Sequence, residues 1–253
     1  MYPILGRYGR FFLYSYTVVM GLGIMAAIGL TAWRARRQAR ADEGWVAGWF
    51  DGLLVSLVAG LVGGRIGFVG TQWEYFQQRP AEAWQIWQGG LSYHGALAAG
   101  LLALVGWWAI HQRQHTSFAA YAGLFAPALA LGSAFGWAAC WLDGCAYGRE
   151  TTLALWSATL PDHFGVFAVR YQTQMLGLGF SLIVFLLVMA RHRHWQSGRL
   201  FWFTLFGLSC GRLLVSLWRG DDVHTISTIR LDTFLEGTLA FMSLILLQYT
   251  IRD

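Results

Sequence analysis

Long apolar segments separated by short polar ones dominate the chain between residues 12 and 250. A run of about 20 apolar residues is long enough to cross the hydrocarbon core of a bilayer as a helix. Such runs predict membrane-spanning helices at 12–33, 46–69, 92–111, 118–142, 173–190, 200–218 and 232–250. We therefore predict an all-α membrane protein with about seven transmembrane helices.

Arginines in the short connections predict how these helices are oriented. They cluster after the first span, as RARRQAR at 34–40, after the third, at Arg113, and after the fifth, as RHRH at 191–194. Short loops rich in Arg remain on the cytoplasmic side of a membrane. The pattern predicts an N-terminus outside and a cytoplasmic C-terminus.

We find no linker, low-complexity stretch or internal repeat, so residues 1–253 are expected to form a single polytopic membrane domain. Two longer segments, at about 70–91 and 143–172, lie on the outer face in this prediction. In the first, Trp73, Tyr75, Trp84 and Trp87 stand among polar residues, which is typical of the lipid headgroup level. This segment is either an interfacial amphipathic element or an ordinary extramembrane loop with packed aromatic residues.

Composition supports a membrane protein and narrows its partners. Hydrophobic residues make up 56% of the chain and charged residues 12%. All 18 basic residues are Arg, and the formal net charge is +5. Because the sequence has neither a basic stripe nor zinc-finger spacing, we predict that an anionic lipid is the partner and that nucleic acid is not.

The three cysteines, Cys140, Cys145 and Cys210, form no CxxC pair. Cys140 and Cys145 are close enough for a disulfide. Apolar packing of all three side chains is the favoured interpretation.

Arginines within or beside the apolar spans are energetically costly and require a partner or a polar cavity. Arg65 lies near the outer end of the second span, Arg212 lies in the sixth, and Arg219 follows seven residues later at its end. Since seven residues are two helical turns, Arg212 and Arg219 share a helix face and are able to address one anionic group. A phosphate suits the guanidinium fork best, whereas snorkelling to the surface is the simpler explanation for Arg219.

His94 opens the third span, with Gly89, Gly90 and Gly95 around it. A neutral imidazole near the bilayer surface is able to accept a proton, although a histidine at a helix start more often caps the helix or forms an interfacial hydrogen bond. No cluster with metal-ligand spacing, no GxSxG elbow and no GxGxxG loop after a strand is present, so we expect no metal or cofactor.

Several blocks resemble the prolipoprotein diacylglyceryl transferase family, in order and spacing. GGRIGFV at 63–69 is similar to the family's GARLGYV, and IWQGGLSYHGALAAG at 86–100 to its IWxGGMSFHGGLLG. APALALGSAFGWAACWLDGCAYGR at 126–149 follows its signature APxxxLGxxxGRxGNFxNxxxxGR, and RLLVSLWRGDD at 212–222 its RxxxEFFRxD. YSYTVVMGLG at 14–23 resembles the family's first helix, which places Tyr16 at the position of its tyrosine.

The resemblance implies an enzyme of the bacterial cytoplasmic membrane that moves the diacylglyceryl group of phosphatidylglycerol to the lipobox cysteine of an exported prolipoprotein, without metal or soluble cofactor. It implies catalytic roles for His94, Arg212 and Arg219. The implied substrate-binding residues are Tyr16, Arg65, Gly89, Gly90, Gly95, Asp143, Gly144, Arg149 and Gln174.

Departures from the family pattern fall where the chemistry is expected. The signature arginine is Trp137, its two asparagines are Cys140 and Asp143, and the glutamate between the late arginines is Ser216. The family's HPxQLYE reads YQTQMLG at 171–177 and retains Gln174 alone. Two hypotheses therefore stay open: a divergent active transferase, and a catalytically inactive, lipid-binding structural subunit of a membrane complex.

Overall fold

The computed structural model describes residues 4–9, 11–39, 48–86, 90–153, 155–162, 165–221, 225–226 and 229–252. Trp87, Gly89 and Arg40, the last residue of RARRQAR, lie outside these ranges. In chain order the elements are β1 (Ile4–Tyr8), β2 (Phe11–Tyr14), α1 (Ser15–Ala39), α2 (Trp49–Thr71), α3 (Trp73–Phe76), a 3-10 helix (Pro80–Trp84), α4 (Tyr93–His111), α5 (Phe118–Gly123), α6 (Ala126–Asp143), β3 (Ser157–Pro161), β4 (Phe167–Tyr171), α7 (Thr173–Arg191), α8 (Ser197–Ser216), β5 (Thr225–Ile226), β6 (Ile229–Arg230) and α9 (Leu231–Arg252).

Within the described residues, five helices are long and apolar enough to cross a membrane: α1, α2, α4, α7 and α9. Their outer sides carry large apolar side chains that remain exposed, such as Ile66 in α2, Leu102 in α4 and Leu186 in α7. Exposed apolar surface on this scale is unfavourable in water and favourable against lipid. The chain is therefore a mostly helical membrane protein, as predicted.

Two predicted spans differ from the observed elements. The span expected at 118–142 is divided into α5 and α6, because the helix is interrupted before Ala126 and Pro127 occupies the first turn of α6. The first span was expected to begin at residue 12, whereas residues 11–14 form β2, which pairs with β1 in an antiparallel hairpin. Gly9 turns this hairpin with a φ of +62°, a conformation that glycine adopts without strain.

The outer segments also contain structure that the helical pattern did not predict. β3 pairs with β4 in an antiparallel hairpin within the second outer segment, and β5 pairs with β6 just before α9. In the first outer segment, the short α3 and the 3-10 helix leave Trp73 and Trp84 exposed.

The elements group into two compact units. The large unit comprises Met1–Arg34 and Gly123–Asp253, and the small unit comprises Ala35–Ala122.

Glycines hold α2 and α4 together in the small unit. A Cβ atom at Gly63 would lie 2.7 Å from the Gly95 carbonyl oxygen, and one at Gly95 would lie 2.4 Å from the Gly63 carbonyl oxygen. The Ser92 amide also donates to the Gly64 carbonyl oxygen at 2.8 Å. Because lipid removes the hydrophobic drive for helices to associate, close backbone contact of this kind stabilises the pair.

The core of the large unit lies between α6, α7 and α8. Ala126 and Ala130 of α6 pack with Val188 of α7 and Leu200 and Leu208 of α8. The Ser133 and Ser181 hydroxyl groups, 3.1 Å apart, form a buried hydrogen bond between α6 and α7. Small residues and paired hydroxyl groups are typical of helix contacts in a bilayer.

We expect Gly63→Ala to lower the free energy of unfolding by about 1–3 kcal/mol, because the new methyl group meets the Gly95 backbone. Gly70→Ala, also in α2, is the matched control, since no atom lies within 4 Å of a Cβ there. Thermal unfolding of both variants in detergent measures the difference. Equal melting temperatures would contradict the close-contact explanation.

Candidate functional site

Polar side chains of α8 face polar side chains of α9 in the large unit. The Arg212 Nε atom lies 3.9 Å from Glu236 Oε1. One turn further along α8, the Ser216 hydroxyl accepts a hydrogen bond from the Thr233 hydroxyl at 3.1 Å. Glu236 is only 2% exposed, so its charge depends on the neighbouring arginine for compensation.

Beyond the end of α8, Arg219 and Arg230 share two carboxylates, those of Asp221 and Asp232. Arg219 donates through Nε to Asp221 at 2.8 Å, through Nη2 to the same carboxylate, and through Nη1 to Asp232 at 3.0 Å. Arg230 pairs with Asp221 and Asp232 at 3.2 Å each. Burial alone would lower the pKa of Arg219, but the hydrogen bonds and negative charges of the two aspartates hold it above its ordinary value. This network joins the end of α8 to the start of α9.

Trp137, which stands at the signature arginine position, packs against Arg212. The Arg212 Cζ atom lies 5.1 Å from the centroid of the indole ring, within the range of a cation–π interaction. Trp137 is 4% exposed. A Cβ atom at Gly177 would lie 2.2 Å from Trp137 Cε2, so a glycine is needed in α7 to make room for the ring.

Two further predicted site residues, Tyr16 and Asp143, belong to the same unit. Tyr16, at the start of α1, is close enough to Asp143 and Arg212 to interact electrostatically with both. Asp143 is the last residue of α6. The large unit thus contains Tyr16, Asp143 and Arg212, and Tyr16 interacts electrostatically with the other two.

The turn after α6 is fixed by a disulfide and by α7. Gly144 ends the helix with a φ of +91°, and its amide donates to the Cys140 carbonyl oxygen at 2.8 Å. This turn brings the Cα atoms of Cys140 and Cys145 within 4.8 Å, and the two residues form a disulfide. The favoured interpretation of these cysteines as apolar packing is therefore wrong, because the left-handed turn places them face to face; Cys210 is a free thiol.

Gln174, in the first turn of α7, contacts the chain at the disulfide. It is fully buried, and its Nε2 atom donates to the Cys145 carbonyl oxygen at 2.9 Å. The neighbouring Thr173 hydroxyl donates to the Ala146 carbonyl oxygen at 2.6 Å. The start of α7 therefore holds the chain that leaves the disulfide.

Arg149 is held by its backbone and exposes its side chain. Its amide donates to the Trp218 carbonyl oxygen at 2.9 Å, and its carbonyl oxygen accepts from the Tyr171 amide at 3.2 Å. The guanidinium lies 5.9 Å from the Tyr171 ring centroid. Among the residues that the structure describes, Arg149 has no carboxylate partner.

Arg65, in the small unit, uses its guanidinium to hold backbone. It is buried, and it donates to the carbonyl oxygens of Glu82 at 2.6 Å, Ala83 at 2.7 Å and Gly90 at 3.1 Å. Gly90 has a φ of +79°, which favours glycine, whereas Gly89 lies outside the described residues. Arg65 thus joins α2 to the outer segment and to the chain that enters α4.

His94 is the second residue of α4 and is half-buried. Ser92 caps this helix by accepting from the Gly95 amide at 3.3 Å. The imidazole packs edge-on against the Tyr93 ring, with 5.3 Å between centroids. His94, Gly90, Gly95 and Arg65 therefore belong to the small unit, whereas the other predicted site residues described by the structure belong to the large unit.

Sequence reasoning did not identify Glu236 or Asp232, the carboxylates that face the late arginines. The available signal was two acidic residues four apart within the last apolar segment. Charges in such a segment require partners, whichever their sign.

We expect Asp232→Asn to destabilise the protein by about 3 kcal/mol or more, because two arginines lose a shared carboxylate in a poorly solvated place. Glu150→Gln removes a carboxylate that pairs with Arg170 but is 67% exposed, so we expect a change below about 1 kcal/mol. Unfolding by heat in detergent compares them. Equal losses would show that the network is not specially stabilising.

Alkylation before and after reduction tests the disulfide. We expect one thiol, Cys210, to react in the unfolded, unreduced protein, and all three cysteines to react after reduction. Replacing Cys140 and Cys145 together by Ser should lower stability by about 2 kcal/mol, the low end for disulfides, because the closed loop is short. Detection of three reactive thiols before reduction would overturn the assignment.

The sequence of this chain is similar to those of one protein family. A family model described as prolipoprotein diacylglyceryl transferase matches residues 3–249. Relatives named phosphatidylglycerol–prolipoprotein diacylglyceryl transferase include one from Nocardia farcinica, 30% identical over 91% of this chain and 49% of its own length. Others are from Symbiobacterium thermophilum, 29% identical over 92% and 88%, and Limosilactobacillus reuteri, 26% identical over 97% and 90%.

The chain thus spans about half the length of the Nocardia relative and nearly all of the other two. The family match covers both units of the structure, including every residue around Trp137 described above. The chain belongs to the prolipoprotein diacylglyceryl transferase family.

Proposed function

We propose that this protein transfers the diacylglyceryl group of phosphatidylglycerol to the cysteine thiol of a prolipoprotein. The observation that carries the proposal is the family match over residues 3–249, together with relatives whose names state this reaction. The alternative hypothesis, an inactive lipid-binding subunit of a membrane complex, has no support from these relatives.

In the proposed reaction, the thiolate sulfur attacks the carbon of the diacylglyceryl group that is bonded to the phosphate oxygen. A carbon–sulfur bond forms, the carbon–oxygen bond breaks, and glycerol phosphate leaves with the bonding electrons. The residues must therefore remove a proton from the thiol and stabilise charge that grows on the phosphate.

Arg212 is our candidate for stabilising the phosphate in the large unit. Its Cζ atom lies 5.1 Å from the centroid of the Trp137 ring, and its charge interacts with Tyr16. A guanidinium fork matches the geometry of a phosphate. The attraction between the two charges is stronger in apolar surroundings than in water. Arg149, exposed at the outer segment, is the second candidate cation.

His94 is our candidate base for the thiol. Its imidazole is half-buried at the start of α4, where an apolar helix meets a polar segment. Arg65, Gly90 and Gly95 support the geometry of this helix start through backbone contacts.

The proposal includes seven membrane-spanning helices, with α6 and α8 added to the five most apolar ones. These two helices have 18 and 20 residues, and at about 1.5 Å per residue they are roughly as long as the hydrocarbon core is thick. An N-terminus outside then places the end of α6, with its disulfide, on the outer, oxidising side of a bacterial inner membrane.

A transfer assay tests the function directly. Purified protein in detergent is incubated with phosphatidylglycerol labelled in its headgroup glycerol and a lipobox peptide. We expect equimolar release of labelled glycerol phosphate and a peptide mass increased by one diacylglyceryl group. A peptide with Ser in place of Cys is the negative control, and the Symbiobacterium thermophilum relative is the positive one. No product from this protein while the relative works would refute the proposal.

If the proposed roles hold, Arg212→Lys should lower kcat/KM by about 100-fold, since lysine keeps the charge opposite Glu236 but lacks the fork. His94→Gln should also lower kcat, with a smaller effect at high pH, where more thiolate is present. Arg113→Ala, at an exposed position after α4, is the control and should retain full activity. Unchanged rates for Arg212→Lys or His94→Gln would contradict the role of that residue.

A further inference from the structure

The two late arginines, Arg212 and Arg219, are held in very different ways. Arg219 is fixed by a forked contact with Asp221 and a further bond to Asp232 at 3.0 Å. Arg212 instead faces the Glu236 carboxylate at 3.9 Å from Nε, and its planar group lies over the Trp137 ring. Arg219 thus belongs to the network between α8 and α9, whereas Glu236 and Trp137 are among the partners of Arg212.

Trp137 and Gly177 form a sterically coupled pair. The backbone of Gly177 lies against the indole, and an added Cβ would be 2.2 Å from Cε2 and 2.3 Å from Cδ2. Any side chain at 177 therefore requires the ring to move. In the family motifs the corresponding positions carry arginine and glutamate, so this chain has an aromatic ring and no side chain where those motifs have two opposite charges.

Trp137 and Gly177 replace one positive and one negative residue of the motifs, so the net charge near Arg212 is unchanged while its surroundings differ. An arginine at 137 would bring a second positive charge close to the Arg212 guanidinium, where repulsion is poorly screened. The indole offers its negative face to the same guanidinium. Glu236, from α9, supplies a carboxylate close to Arg212. Position 216, where the family motif has a glutamate, is a serine in this chain, and its hydroxyl accepts a hydrogen bond from the Thr233 hydroxyl.

We propose that Trp137 and Glu236 are positioning residues that hold Arg212 for the donor phosphate, while Arg219 is structural. Trp137 supports the guanidinium with its ring, Glu236 attracts it towards α9, and Gly177 makes room for the ring. The inference rests on the proposed function, because the phosphate it describes is that of the donor lipid.

The transfer assay distinguishes positioning from simple packing through the two KM values. Trp137→Leu removes the aromatic face but keeps apolar volume, and we expect KM for phosphatidylglycerol to rise about 10-fold, with KM for the peptide within about twofold. Trp137→Phe restores a ring and should return KM to within about threefold of the original protein. Trp141→Leu, in the same helix but largely exposed, is the control.

Reversal of the coupled pair tests the charge argument. Trp137→Arg alone should fall below Trp137→Leu in activity, because it adds a charge near Arg212 without a partner. Trp137→Arg combined with Gly177→Glu should recover at least about 10-fold over the single change, since the glutamate then pairs with the new arginine. Arg219→Lys should lower the melting temperature and leave KM for phosphatidylglycerol within about twofold.

Three results would overturn the inference. They are an unchanged lipid KM in Trp137→Leu with only a lower melting temperature, higher activity in Trp137→Arg alone than in the original protein, and a raised lipid KM in Arg219→Lys.

Absence of any transfer would refute the proposed function, and lipid binding then tests the positioning separately. Native mass spectrometry with phosphatidylglycerol as the probe should show retained lipid in the original protein and in Trp137→Phe, and less in Trp137→Leu. Equal retention in all three would overturn the positioning role.

Discussion

The compensation of buried arginine charge is the interaction on which the large unit depends. A guanidinium cannot lose its proton in a protein, so each arginine placed in apolar surroundings imposes a partner on the fold. Along α8 this requirement is met by α9, which places Glu236 opposite Arg212 and Asp232 opposite Arg219. Side chains of opposite charge therefore fix how far one helix slides along the other, which packing of small apolar residues alone would specify weakly.

Three of the described arginines are bound in chemically different ways. Arg65 binds backbone carbonyl oxygens, and Arg219 binds two carboxylates in a fork. Arg212 rests on an aromatic ring near a more distant carboxylate. The first two arrangements use directional hydrogen bonds, whereas the third includes an aromatic ring and an ion pair at 3.9 Å.

Much of the fold could be predicted from the sequence because apolar runs of membrane length are a strong signal. Helices α2, α4 and α7 begin and end within a few residues of the predicted spans. The break between α5 and α6 was not predicted, because Phe118–Asp143 remains apolar across the interruption, apart from the signal of Pro127. The short hairpins were missed for a related reason, since two to five residues per strand carry little periodicity.

The candidate site was less accessible to prediction. The prediction identified Tyr16, Asp143 and Arg212 from motif positions, and in the structure Tyr16 interacts electrostatically with the other two. The disulfide depends on a left-handed turn at Gly144. The Trp137–Gly177 contact joins two helices through residues that are 40 positions apart in the sequence. Spacing along the chain reports neither contact, because both arise from tertiary packing.

The disulfide turn also bears on how the protein is assembled during synthesis. The Cys145 carbonyl oxygen is held by Gln174, which lies 29 residues further along the chain. The turn therefore reaches its final geometry only after the β3–β4 hairpin and the first residues of α7 have been made. If the two cysteines are oxidised before that moment, the disulfide closes its loop on a chain that Gln174 does not yet hold.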